Sequence, residues 1–124
     1  MRSVLLSLAG YYCFAFAAFH MLFWKLFRWK ADLQRLTPVN RSIMQVLNIR
    51  LTYVFLVVGI AVFLFREGLL ASDLGKFLLG AMSVFWLMRS IEQLVFFDAK
   101  TLASTALVLV FILGAALFAI PLFL

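Results

Sequence analysis

The last stretch of the chain, Leu102 to Leu124, contains no charged side chain at all. A run of that length and character constrains the fold more than any other feature here. About 20 consecutive apolar residues are what an α-helix needs to cross the hydrocarbon core of a bilayer. Three further runs approach the same length: Val4 to Trp24, Ile43 to Phe65 and Phe77 to Phe97. The second is interrupted by Arg50, and the third by Arg89, Glu92 and Gln93. The runs are too long, and alternate too little, for the strands of a membrane barrel. The expectation is therefore an all-α chain, an integral membrane four-helix bundle with spans at 4–24, 43–65, 77–97 and 102–124.

Composition leads to the same class. The 124 residues are 67% hydrophobic and 13% charged, against about 45–50% and about 25% in soluble domains. A chain this short has too much surface for its volume to hide the excess in a water-soluble core. A single transmembrane domain over 1–124 is expected. The net charge is +6. In a membrane chain this excess reads as basic loops beside anionic lipid rather than as a nucleic-acid surface.

The first run has features of a signal peptide, with Arg2 at its start and Ala15-Phe16-Ala17 resembling a cleavage site. However, the apolar stretch continues unbroken to Trp24 and then meets Lys25, Arg28 and Lys30, so a retained helix is expected. The linker 25–42 is the one substantial polar segment. Lys25, Arg28, Asp32 and Arg35 recur at helical spacing on one face, and Leu26, Trp29, Leu33 and Leu36 on the other. This predicts one amphipathic surface helix between helices one and two, with Trp24 and Trp29 at headgroup level. Pro38 is expected to end it. Ser42-Ile43-Met44-Gln45 fits a capping box that would start the second span. In the Arg66 to Lys76 loop, Gly68 reads as a helix stop and Ser72 as a cap. Asp98-Ala99-Lys100 is short enough to make helices three and four antiparallel neighbours.

Lys and Arg counts set the orientation. The first and third loops carry Lys25, Arg28, Lys30, Arg35, Arg41 and Lys100, against Arg2, Arg66 and Lys76 on the other side. The first loop is therefore expected in the cytoplasm, with both termini non-cytoplasmic, in a multi-pass protein of the cell (plasma or inner) membrane.

Alternation of the spans puts the end of helix one, the start of helix two and the end of helix three on one membrane side. Counting 1.5 Å per residue, His20 lies about 8 Å from Lys25, and Arg50 about 12 Å from Ser42. Arg89 lies about 14 Å, and Glu92 about 9 Å, from Asp98. With Gln45, Asn48 and Gln93 they form a polar set in one leaflet. The candidate ligand-binding residues are His20, Asn48, Arg50, Arg89, Glu92 and Gln93. An ionisable residue near a helix centre costs on the order of 2.5–3.5 kcal/mol on insertion scales, so inward pairing is expected. Arg89 can meet Glu92 or Gln93 along its own helix, and Glu92 has a suitable depth for Arg50. Gln45, Asn48 and Thr52 share one face of helix two, from which Arg50 points away. Ser83, Trp86, Ser90 and Gln93 form a stripe on helix three with Arg89 at its edge.

Three uses of this set compete. It can join helices by hydrogen bonds. It can hold a quinone, a lipid headgroup or an organic anion beside Tyr11, Tyr12, Tyr53 and Trp86, since arginine grips carboxylate or phosphate with two donors. It can carry a proton or ion through Glu92 and His20. One histidine cannot supply both axial ligands of a haem within one chain, and the cofactor is left unassigned. The lone Cys13, four residues from Ala9 and from Ala17, fits close helix packing better than redox chemistry. No nucleophile with its base, no paired carboxylates and no phosphate-binding glycine loop is present, and no metal-ligand spacing occurs.

In size and four-helix plan the chain resembles the small multidrug transporters. Those carry an essential glutamate in the first helix, where this chain has no acidic residue, so no site is carried over. The expected function is a non-enzymatic accessory or ligand-binding membrane subunit. The alternatives are a small proton-coupled transporter or channel, or a quinone- or haem-associated subunit of a redox complex. Beyond the bilayer, the expected partner is a second copy or a larger membrane complex.

Overall fold

The computed structural model describes residues 1–98 and 100–124. Every regular element among the described residues is helical. In chain order these are α1 (Arg2–Met21), α2 (Phe23–Leu26), α3 (Trp29–Asp32), a 3₁₀ turn (Leu33–Arg35), α4 (Pro38–Leu64), α5 (Arg66–Ala71), α6 (Asp73–Phe96), α7 (Leu102–Ala119) and a closing 3₁₀ turn (Ile120–Leu122). Among the described residues, four segments are long and apolar enough to cross a membrane: Arg2–Met21, Pro38–Leu64, Asp73–Phe96 and Leu102–Leu122. They match the four expected runs with shifted ends. The chain divides into two compact units, one formed by Met1–Ala9 with Val62–Leu124, the other by Gly10–Ala61.

In the Gly10–Ala61 unit, the connector departs from expectation. The single amphipathic helix over 25–42 does not form. Instead two one-turn helices and a 3₁₀ turn follow one another, and the break falls at Arg28, whose φ of 52° and ψ of 45° are left-handed. That conformation costs a non-glycine residue about 1–2 kcal/mol. It turns the chain so that Trp29 meets both Phe23, at 5.6 Å between ring centroids, and Trp24, at 6.1 Å. Burial of apolar rings offsets the strain. The expected apolar face survives in part, since Trp29 and Leu33 are buried whereas Leu26 is exposed.

Pro38 does not stop a helix. It begins α4 five residues before the expected start. Proline suits the first helical position because its φ is already helical and the N–H it lacks would have no partner there. Thr37 precedes it and accepts a hydrogen bond from the Asn40 N–H at 3.4 Å through Oγ1. Ser42 lies inside the helix rather than capping it, and the Gln45 amide donates to the Arg41 carbonyl at 3.2 Å. Arg41 performs the closure that the sequence did not suggest. Its Nε donates to the Leu33 carbonyl at 2.9 Å, and Nη2 reaches those of Leu36 at 3.2 Å and Gln34 at 3.5 Å. One guanidinium thereby satisfies carbonyls that a short turn leaves open. The Phe14 ring packs against Gly59: a Cβ there would sit 2.6 Å from it.

In the other unit, α4 ends at Leu64 and Phe65 breaks the chain into α5. Gly68 lies within α5 and does not stop a helix. The residue that needs to be glycine is Gly75, where an added Cβ would lie 2.4 Å from Leu69 Cα and 2.5 Å from its carbonyl oxygen. Ser72 caps α6 by accepting from the Gly75 N–H at 2.9 Å, and donates to the Gly68 carbonyl at 2.7 Å. Arg2 joins the end of α5 to the closing 3₁₀ turn, donating to the carbonyls of Leu70 and Pro121, each at 3.1 Å.

Helices α6 and α7 are antiparallel neighbours. Of the turn expected to enforce this, Ala99 lies outside the described residues, while the Lys100 N–H reaches the Asp98 carboxylate at 3.0 Å. Thr101 caps α7 through the Ser104 N–H at 3.1 Å. The pairs Ser83 with Ala115, Ser90 with Val108 and Gln93 with Ser104 then lie progressively closer to the turn, as an antiparallel register requires.

Candidate functional site

The six sequence-predicted residues distribute over both units, and each group is described within its own unit. Near the end of α1, His20 and Asn48 of α4 form a two-bond clasp. The Asn48 side-chain N–H donates to the His20 carbonyl at 3.0 Å, and its Oδ1 lies 2.8 Å from His20 Nδ1. A carboxamide oxygen only accepts, so Nδ1 carries the proton of this bond. The imidazole stacks on Phe23 at 4.2 Å between centroids and tilts against Phe55 at 5.4 Å. Phe55 is itself buried. A hydrogen bond and aromatic contacts, that of Phe19 at 5.9 Å among them, hold the ring.

Thr52 donates to the Asn48 carbonyl at 2.9 Å, so the polar face of α4 continues inward. Arg50 is on another face and is exposed. Tyr53, also exposed, lies three residues further along.

In the second unit the stripe Ser83, Trp86, Ser90 and Gln93 faces α7. Ser83 donates to the Ala115 carbonyl at 2.8 Å and Ser90 to the Val108 carbonyl at 3.1 Å. Between them Trp86 stacks on Phe111 at 5.9 Å, with planes 15° apart. Gln93 is 2% exposed and acts as a relay. Its amide N–H donates to Ser104 Oγ at 2.9 Å, and its Oε1 accepts from Arg89 Nη2 at 3.1 Å.

The Arg89 guanidinium also lies over Phe111 at 4.6 Å and Phe97 at 5.2 Å. Two aromatic faces supply part of the negative potential that a carboxylate would otherwise provide. Arg89 therefore meets Gln93, one turn on, in preference to Glu92. Glu92 is near enough to attract it electrostatically, but lies on the exposed side of α6. Nη1 of Arg89 is buried without a hydrogen-bond partner among the described residues.

The sequence reading missed Ser104 as the acceptor for Gln93. A signal was available. Ser104 and Thr105 are the only polar residues of α7, and a tight antiparallel turn sets Gln93 opposite Ser104. Arg41 was counted only as a loop charge, because its three carbonyl partners belong to a turn that periodicity did not reveal.

An open cleft of about 560 Å³ lies elsewhere, lined by Ser3, Phe63, Arg66 and Glu67 among others, and none of the six predicted residues borders it. Arg66 donates to Ser3 Oγ there at 3.1 Å. Among the described residues no group of three His, Cys, Asp or Glu side chains is placed to hold a metal ion.

Chemically, most of these polar groups act on each other. His20, Asn48, Ser83, Ser90, Gln93 and Ser104 tie one helix to the next, which is how polar side chains act in an apolar medium. Comparison with protein-family models, with curated proteins and with solved structures gives no match.

Proposed function

We propose that this chain is a non-enzymatic integral membrane protein, an accessory subunit whose polar residues interlock its own helices. In this reading α1, α4, α6 and α7 span the plasma or inner membrane as a four-helix bundle. The connector between α1 and α4 faces the cytoplasm, and both termini face the opposite side.

One observation carries the reading: the distribution of polarity is inverted. Gln93, Ser90 and Ser104 are buried, while Leu64 is 70% exposed, Ile49 65% and Val95 66%. Water would penalise such a surface, because contiguous apolar patches on soluble monomers rarely exceed a few hundred Å². Lipid penalises the reverse, because a polar group facing hydrocarbon has no hydrogen-bond partner. Basic residues held at the connector, Arg41 above all, support its place at a lipid headgroup surface.

The non-enzymatic part of the proposal is supported by the use of the polar side chains. His20 and Gln93, the groups best suited to chemistry or ligand binding, each have bonds to a neighbouring helix. An accessory role agrees with the short connections between the helices.

The test has two stages on the full chain. Alkaline carbonate extraction should leave the protein in the membrane pellet. Single cysteines at Gln34 and at Glu67, in a Cys13→Ala background, should then be distinguished by a membrane-impermeant maleimide on intact cells. Position 67 should label and position 34 should not. Release into the carbonate supernatant would refute the membrane reading, and labelling at 34 alone would invert the orientation.

A further inference from the structure

Beyond the first turns of the spanning helices, two ionised side chains among the described residues remain outside the interlocks. Arg50 is exposed on α4, and among the described residues it makes no hydrogen bond or ion pair. Glu92 is exposed on α6 and likewise makes no hydrogen bond or contact ion pair, its neighbour Arg89 being turned to Gln93. The other half-buried arginines are engaged: Arg2 by two carbonyls, Arg41 by three, Arg66 by the Ser3 hydroxyl and the Phe63 ring, Arg89 by an amide and two rings.

An unpaired charge facing lipid is costly, most of all near a helix centre. Arg50 lies about 18 Å along α4 from Pro38 and about 21 Å from Leu64, close to the middle of the helix. Snorkelling to either surface is hardest from that position.

Each charge lies in an apolar stripe that is itself uncovered. On α4 the stripe is Val46, Arg50, Tyr53 and Val57, and its three uncharged members are 54%, 60% and 44% exposed. On α6 the stripe of Val84, Met88 and Val95 runs past Glu92 and is 53%, 54% and 66% exposed. The first alternates four and three residues, as a helix–helix seam does, and the second steps by four, four and three along one helix face. One seam holds a cation and the other an anion. On the proposed topology, Arg50 is about 13 Å inward of Arg41, and Glu92 about 9 Å inward of Asp98 on the same membrane side. An arginine stem spans the difference.

We infer that the chain forms a symmetric dimer in the membrane, with α4 of one copy docked on α6 of the other and Arg50 paired with the second copy's Glu92. The inference rests on the membrane reading above. The occupant is a second copy because the chain itself carries the complementary charge, on a complementary stripe, at a matching depth. A two-fold interface would use each pair twice, so both charges of both copies are neutralised in one contact. A carboxylate on an unrelated partner helix would satisfy Arg50 alone and leave Glu92 facing lipid.

Cross-linking in native membranes tests this. Two differently tagged copies are co-expressed in a Cys13→Ala background, one carrying Arg50→Cys and the other Glu92→Cys, and oxidised in place. The expected product contains both tags at twice the 14.1 kDa chain mass. The control pair Ile60→Cys with Leu78→Cys should give none.

In mild detergent, Arg50→Glu alone and Glu92→Arg alone should each weaken dimerisation by about tenfold or more. The double swap should restore it to within about threefold of the parent, which also shows that the swapped chains fold. A protein that resists carbonate extraction yet gives no two-tag product overturns the dimer and leaves the membrane reading intact. So does a single chain bearing both cysteines that cross-links only within itself. Release by carbonate overturns both.

Discussion

Replacing Gln93 with leucine removes the centre of the α6–α7 interlock while keeping a similar volume. Two hydrogen bonds are lost, the amide N–H to Ser104 Oγ at 2.9 Å and the Arg89 Nη2 donation to Oε1 at 3.1 Å. Neutral side-chain bonds between membrane helices average about 0.6 kcal/mol and reach about 1.7. A bond to a charged donor contributes about 1.5–3 kcal/mol in proteins generally. Arg89 is half-buried and keeps its contacts with Phe97 and Phe111, so the lower end applies. The sum is about 2 kcal/mol, roughly a 30-fold change in the unfolding equilibrium.

Reversible unfolding of the purified chain in mixed micelles, followed by far-ultraviolet circular dichroism, would measure it. A cycle with Ser104→Ala isolates the neutral bond, whose coupling should fall between about 0.6 and 1.7 kcal/mol. A Gln93→Leu protein as stable as the parent, or a coupling below about 0.3 kcal/mol, would refute the view that these side chains hold the helices together.

Two further predictions test other joints. Gly75→Ala should destabilise by about 2 kcal/mol, because its methyl group meets the Leu69 backbone, which cannot swing aside as a side chain can. Gly80→Ala on the same helix meets nothing within 4 Å and should be neutral or stabilise by up to about 1 kcal/mol; the two melting temperatures in detergent should therefore move in opposite directions or one not at all. Asn48→Ala breaks both halves of the His20 clasp and should cost about 1–2 kcal/mol. In the same variant, the nitrogen resonances of the imidazole should lose the signature of an Nδ1-bound proton held in one hydrogen bond.

The proportion of the structure legible in the sequence follows the range of the forces involved. The four long helices could be read directly, because hydrophobic length and the absence of charge are local properties and each helix satisfies its own backbone. The stripe on α6 was legible too, since Ser83, Trp86, Ser90 and Gln93 recur at helical spacing. So was the cap at Ser72, whose side chain reaches only three residues on. In the candidate site, the sequence identified which residues carry polarity. It left the partner of Arg89 open between Glu92 and Gln93; the structure turns it to Gln93 and adds Phe97 and Phe111, which the sequence did not suggest.

What periodicity could not supply was decided by contacts that form only when the chain bends back on itself. The amphipathic spacing across 25–42 is real, yet Arg28 turns left-handed there because packing Trp29 against Phe23 and Trp24 outweighs one residue's backbone strain. Pro38 reads equally well as the end of one helix or the start of the next, and the carbonyls collected by Arg41 accompany the second choice. Gly68 and Gly75 look alike in the sequence, but only Gly75 has another backbone pressed against it. Sequence alone determined the number and approximate place of the long apolar helices, because those depend on each segment's own transfer free energy. Tertiary structure decided which polar group meets which and where the chain bends, because those depend on neighbours brought together only by folding.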